Sequence, residues 1–104
     1  MQLTMFDRAP TVAVDDVRLL LGVLRGAGWV NAKLLARLTG YDDRKLRAVA
    51  NASDGRVISG NAGYKLTKEA TNEEINECVG RLKAQADKMV MRIVSIERAR
   101  HYRA

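Results

Sequence analysis

Arg44, Arg47 and Asn51 stand three and four residues apart, so on a helix they form a single stripe. Two guanidinium forks and a carboxamide in one row suit recognition of anionic or polar groups rather than bond-making. Further cations surround them. Residues 31–70 hold eight Lys or Arg against four Asp or Glu, and residues 81–104 hold seven against two, while residues 1–30 are balanced. Glu73, Glu74 and Glu77 form an acidic patch between the two basic regions. A net charge of +6 on 104 residues and a pI near 9.9 point to an anionic partner, of which nucleic acid is the commonest.

The other reactive side chains do not assemble into a catalytic set. Asp15/Asp16, Asp42/Asp43 and Glu73/Glu74 are adjacent pairs. Neighbours on a helix point about 100° apart, and each pair opens a helical pattern, where a carboxylate answers the helix dipole. His101 has no acid beside it, and Cys78 lies one step from an apolar stripe, as a structural thiol does. One cysteine forms no internal disulfide, and no Cys/His cluster has metal-site spacing, so neither a metal nor a cofactor is expected. Gly60-Asn61-Ala62-Gly63 has the G-x-x-G spacing of a nucleic-acid clamp but lies between β-rich runs, where it reads as a turn. A single small domain also has little room for a deep substrate pocket, so the chain reads as non-enzymatic.

The apolar run Leu19–Leu24 is closed by Arg18 and Arg25, too short to span a bilayer, and residues 1–10 lack the pattern of a signal peptide. A cytoplasmic protein is expected.

Several elements must position these groups. Val14, Val17, Leu20, Leu21 and Leu24 recur at helical steps and stop at Gly26 and Gly28. After Trp29 and Val30, Asn31 caps a second helix, Ala32–Leu38, with Leu34, Leu35 and Leu38 inward and Lys33 and Arg37 outward; Gly40 ends it. Asp42 caps a third from Asp43 to about Ala52, with Leu46, Val49 and Ala50 inward, which leaves the stripe of Arg44, Arg47 and Asn51 outside. Ser53-Asp54-Gly55 then turn the chain. The period shortens to two in Arg56–Ser59 and Tyr64–Thr67, a β-hairpin around a four-residue loop, with Ile58, Tyr64 and Leu66 expected on its inner face. Thr71 with Glu74 is a capping box, and Ile75, Val79, Leu82, Ala86, Met89, Ile93 and Ile96 then alternate steps of four and three. From Asn72 to about Tyr102 this final helix is roughly 46 Å long, more than a domain of this size is wide. The expected organisation is an arm over 1–13, a body over 14–70 and the long helix over 71–104.

Helix, short apolar step, helix, tight turn, helix, hairpin is the order of the winged helix-turn-helix DNA-binding family, which residues 14–67 resemble. Asn31–Gly40 looks like the first helix and turn of that motif, Asp43–Arg47 resembles the start of its recognition helix, and Gly55–Ser59 with Gly63-Tyr64-Lys65-Leu66 is similar to its wing. The compact size and the long helix after the wing also look like small regulatory proteins of phages and prophages. The resemblance implies a mainly α fold with a small β-hairpin wing, a winged helix-turn-helix followed by a long C-terminal amphipathic helix.

It further implies that the third helix enters the major groove of duplex DNA. There Arg44 and Arg47 would face guanine, Asn51 adenine and Asp43 cytosine N4, while Lys33, Arg37, Lys45, Arg56, Lys65 and Lys68 would hold phosphates. The loop of the wing carries no Lys or Arg. Trp29 is expected as a hydrophobic plug between the first helix and the wing. The distal stripe of Leu82, Met89, Ile93 and Ile96 needs a covering partner, and a homodimer through this helix is expected. Transcriptional regulation, or an accessory role in replication or recombination, follows from the DNA reading. The alternative is a protein–protein interaction module, such as a phage-encoded inhibitor or assembly adaptor, that uses the same fold and the long helix.

Overall fold

Local capping starts each helix of the body in the computed structural model, which describes residues 10–101. Helix α1 spans Val14–Leu24, and the Asp16 carboxylate accepts the Ala13 N–H at 2.9 Å. Val17, Leu20 and Leu24 are buried along it. Val14, expected on the same stripe, is 69% exposed, an end position overhanging the elements on which α1 packs. After α1 the Gly26 N–H donates to Glu69 Oε2 at 2.7 Å, which ties this turn to the 3-10 turn Thr67–Glu69.

Helix α2 runs Ala32–Thr39. Asn31 Oδ1 accepts the Leu34 N–H at 2.8 Å, and Gly40, at φ +79°, closes the other end with its N–H on the Ala36 carbonyl. Only Leu35 is buried. Leu34 and Leu38 were expected inward but are 43% and 56% exposed, because two turns of helix meet α1 and the third helix along one narrow line. That third helix, α3, spans Asp43–Asn51 with Asp42 Oδ1 accepting the Lys45 N–H at 2.8 Å; Leu46 and Val49 are fully buried beneath it. Ser53 follows, buried, its hydroxyl donating to the Ala50 carbonyl at 2.7 Å.

Strands β1 (Val57–Gly60) and β2 (Gly63–Leu66) pair antiparallel with Val57 opposite Leu66 and Gly60 opposite Gly63. Both glycines are therefore rungs of the ladder, and the loop is Asn61-Ala62, two residues in place of the expected four. The register also corrects the inner face. Residues directly opposite share a face, so Val57, Leu66, Ser59 and Tyr64 lie on one side and Ile58 with Lys65 on the other. Ile58 is buried all the same, at 8% exposure.

Val30 adds a third, single-residue strand: its N–H and C=O exchange 2.9 Å hydrogen bonds with Tyr64. The core of the body unites Val17, Leu20 and Leu24 of α1 with Val30, Leu35, Leu46, Val49, Tyr64 and Leu66.

The chain divides between Thr71 and Asn72 into two compact units. The second is helix α4, Asn72–His101, 30 residues and about 45 Å at 1.5 Å per residue. Leu82, Met89, Ile93 and Ile96 are each more than half exposed along it, whereas Cys78 is buried. No helix among the described residues is long and apolar enough to cross a membrane. Residues 1–9 of the expected arm, and the last turn expected near Tyr102, lie outside the described residues.

Candidate nucleic-acid interface

Burial of Leu46 and Val49 decides which way α3 faces. With those two side chains in the core, Asp43, Arg44, Arg47 and Asn51 stand exposed on the opposite side of the helix. Asp43 and Arg47 approach to 3.9 Å across one turn, with 71% and 70% of their side chains exposed. An exposed pair of this kind contributes little to stability, so the Arg47 guanidinium can exchange its partner at small cost. On α2, Lys33 and Arg37 are one turn apart and both exposed. The hydroxyl of Tyr64 lies near the start of α3: burial raises its pKa, the Asp43 carboxylate adds to the rise and Arg47 opposes it.

Lys45 is a correction. Expected on phosphate, it is turned inward: its Nζ donates to the Thr11 carbonyl at 2.5 Å, pairs with Asp16 Oδ2 at 3.2 Å and lies 5.4 Å from the centre of the Tyr41 ring. The Tyr41 hydroxyl donates to the other Asp16 oxygen at 2.5 Å. This cluster anchors the first turn of α3 to the first turn of α1. The Ala13 N–H, Tyr41 and Lys45 together hold the Asp16 carboxyl at about 2, against an ordinary 3.8, and the same contact pushes Tyr41 up to about 12.

A carboxyl whose folded pKa is depressed contributes stability that is complete above its unfolded value and is lost as pH falls toward the folded one. Denaturant midpoints followed by circular dichroism should therefore drop for the wild type between about pH 4 and pH 2, and Asp16→Asn should remove that part of the drop. At pH 7 the variant should be the less stable of the two. Parallel acid profiles for the two proteins would refute the assignment.

At the hairpin, the Trp29 indole lies against Gly60, where an added methyl would meet the ring at 3.1 Å, and Lys65 Nζ sits 5.6 Å over it. Trp29 thus covers the loop end of the hairpin and orients Lys65. Arg56 and Lys68 lie at the other end. With Arg25 they rim an open cavity of about 410 Å³ floored by Leu21 and Leu66, and the Arg56 Nε–H donates to the Ser53 carbonyl at 2.7 Å. Arg25 was not expected in the site. It belongs to the balanced N-terminal third of the chain, and its place beside Arg56 depends on the packing of α1 on the hairpin.

The chain matches no family model, no curated protein and no solved structure.

Proposed function

We propose that this chain is a non-enzymatic cytoplasmic protein that binds double-stranded DNA in a sequence-specific manner through a winged helix-turn-helix, as a transcriptional regulator or a replication or recombination accessory factor of phage or prophage type. The observation that carries this reading is the exposed row of Arg44, Arg47 and Asn51 on α3, with the exposed Lys33 and Arg37 on α2. Support for the winged form comes from the order α1, Val30, α2, α3, β1, β2, with Val30 bridging to Tyr64 as a short third strand. On this reading Arg44 and Arg47 meet guanine O6 and N7, Asn51 meets adenine, and Asp43 either steers Arg47 or accepts from cytosine. Lys33, Arg37, Arg56, Lys65 and Lys68 meet phosphates, which position the protein without reading sequence.

Titration of a selected duplex and of random duplex tests it. Arg47→Ala should weaken the selected site by about 1–3 kcal/mol and relax preference at one base pair, while Lys33→Ala should weaken both duplexes alike. Equal, sequence-blind losses from the two changes would mean that α3 does not read bases. The exposed Leu34 and Leu38 on α2 favour a second reading, in which the body docks on another protein. Absence of any duplex binding at low salt would select that reading.

A further inference from the structure

An apolar seam along α4 falls into heptads, with the exposed Met91 and Val94 lying off it. With Val79, Ala86, Ile93 and Arg100 at the a positions, the d positions are Ile75, Leu82, Met89 and Ile96. From Leu82 to Ile96 the large apolar members of this seam, Leu82, Met89, Ile93 and Ile96, are each 54% to 66% exposed, and Val90 at the flanking e position is 56% exposed. We propose that this seam is covered by a second copy of the same chain, in a parallel, in-register two-stranded coiled coil over residues 82–97.

Three observations select that occupant and that orientation. The first is charge. A parallel pair sets each g residue beside the partner's e residue five positions on, which places Arg92 against Glu97 of the second copy, twice by symmetry. The other such match in the exposed stretch, Gln85 with Val90, is neutral, so no like charges face each other at these positions. An antiparallel pair that sets Ile93 beside Leu82 places Gln85 by Arg92 and Lys83 by Val90, with no ion pair. Shifting it by one heptad pairs Lys83 with Glu97 but sets Arg92 against Arg92 at the centre of the seam.

The second observation is the residue types of the seam. β-branched Ile93 at a with Leu82 at d favours two strands, Ile96 at d favours more, and Arg100 at the last a position, which a parallel pair sets beside its own copy, ends the packed stretch before it. Within its own chain Arg100 is paired with Glu97 one turn back, which leaves the end of the seam polar.

The third is area. Complete burial of the exposed portions of these side chains on two helices would remove at most about 1,200 Å² from water, which reaches the lower bound of a specific, stable interface. Area alone does not set the affinity, and the association stands independently of what α3 binds.

Sedimentation equilibrium at tens of micromolar should give twice the 11.5 kDa chain mass for the wild type. Ile93→Asp should give the single-chain mass with its helical circular dichroism spectrum unchanged, since Ile93 is exposed in the single chain. Arg92→Glu alone and Glu97→Arg alone should each weaken the dimer by about tenfold, and the double exchange should restore it. A single-chain mass for the wild type would overturn the proposal and leave the seam to a different protein. A mass above two chains would overturn the two-stranded form, and failure of the double exchange to restore association would overturn the parallel order. Duplex binding by a monomeric Ile93→Asp protein would leave the reading of α3 intact.

Discussion

Gly63→Ala should destabilise the body by about 3 kcal/mol or more, a large part of what a domain of this size has. Gly63 has φ +121°, a conformation that L side chains rarely adopt, and a methyl there would lie 2.1 Å from the Val30 carbonyl oxygen and 2.6 Å from Asn31 Cα. Those atoms cannot give way cheaply. The Val30 carbonyl accepts the Tyr64 N–H at 2.9 Å, and Asn31 caps α2. Relief of the clash therefore breaks the single-residue third strand, shifts the cap, or both. Gly22 provides the opposite case: it lies inside α1 with nothing within 4 Å of an added methyl, so Gly22→Ala should stabilise by about 0.5–1 kcal/mol. Urea midpoints followed by circular dichroism would measure both. A Gly63→Ala protein as stable as the wild type would show that the hairpin does not approach Val30 as described.

Duplex binding should weaken by roughly 500-fold between 50 and 200 mM salt, if about five cations contact phosphate and each contributes a log–log slope near −0.9. Lys33, Arg37, Arg56, Lys65 and Lys68 are the five. Lys45 is excluded because its ammonium is already occupied by Asp16 and the Thr11 carbonyl. The distinction is measurable by anisotropy titration across a salt series. Lys33→Gln should reduce the slope by about 0.9, while Lys45→Gln should leave it unchanged and lower only the stability of the fold. A salt-independent affinity would sink the DNA reading, and an equal loss of slope in both variants would mean that Lys45 leaves Asp16 to join the interface.

The acid profile of Asp16 and the charge exchange on α4 address different links of the same chain. Asp16 fixes where the first turn of α3 stands, and so the direction in which Arg44 and Arg47 point. The exchange at Arg92 and Glu97 asks how many copies of α3 are presented together.

Much of this molecule was legible from residues within four positions of one another. Asn31 and Asp42 are caps because a short carboxamide or carboxylate reaches the N–H three residues ahead, whatever the rest of the chain does. Gly40 ends α2 by its own left-handed φ. The outward stripe of Arg44, Arg47 and Asn51 follows from helical period once Leu46 and Val49 are inside. The hairpin and the long helix are likewise short-range patterns, of period two and of alternating three and four.

What the tertiary structure alone decided depends on partners far along the chain. Lys45 meets Asp16, 29 positions earlier, so a residue on the expected phosphate side became an internal tie. Ile58 lies on the face opposite Tyr64 and Leu66 because hairpin register, not composition, assigns faces, and pairing Gly60 with Gly63 shortened the loop to two residues. Leu34 and Leu38 stayed exposed because α1 and α3 reach only the line of α2 that passes through Leu35. Arg25 joined Arg56 and Lys68 only when α1 packed on the hairpin. Capping and period are fixed by the backbone's own hydrogen bonds over one turn, whereas register, ion pairing and exposure depend on which surfaces the core brings together.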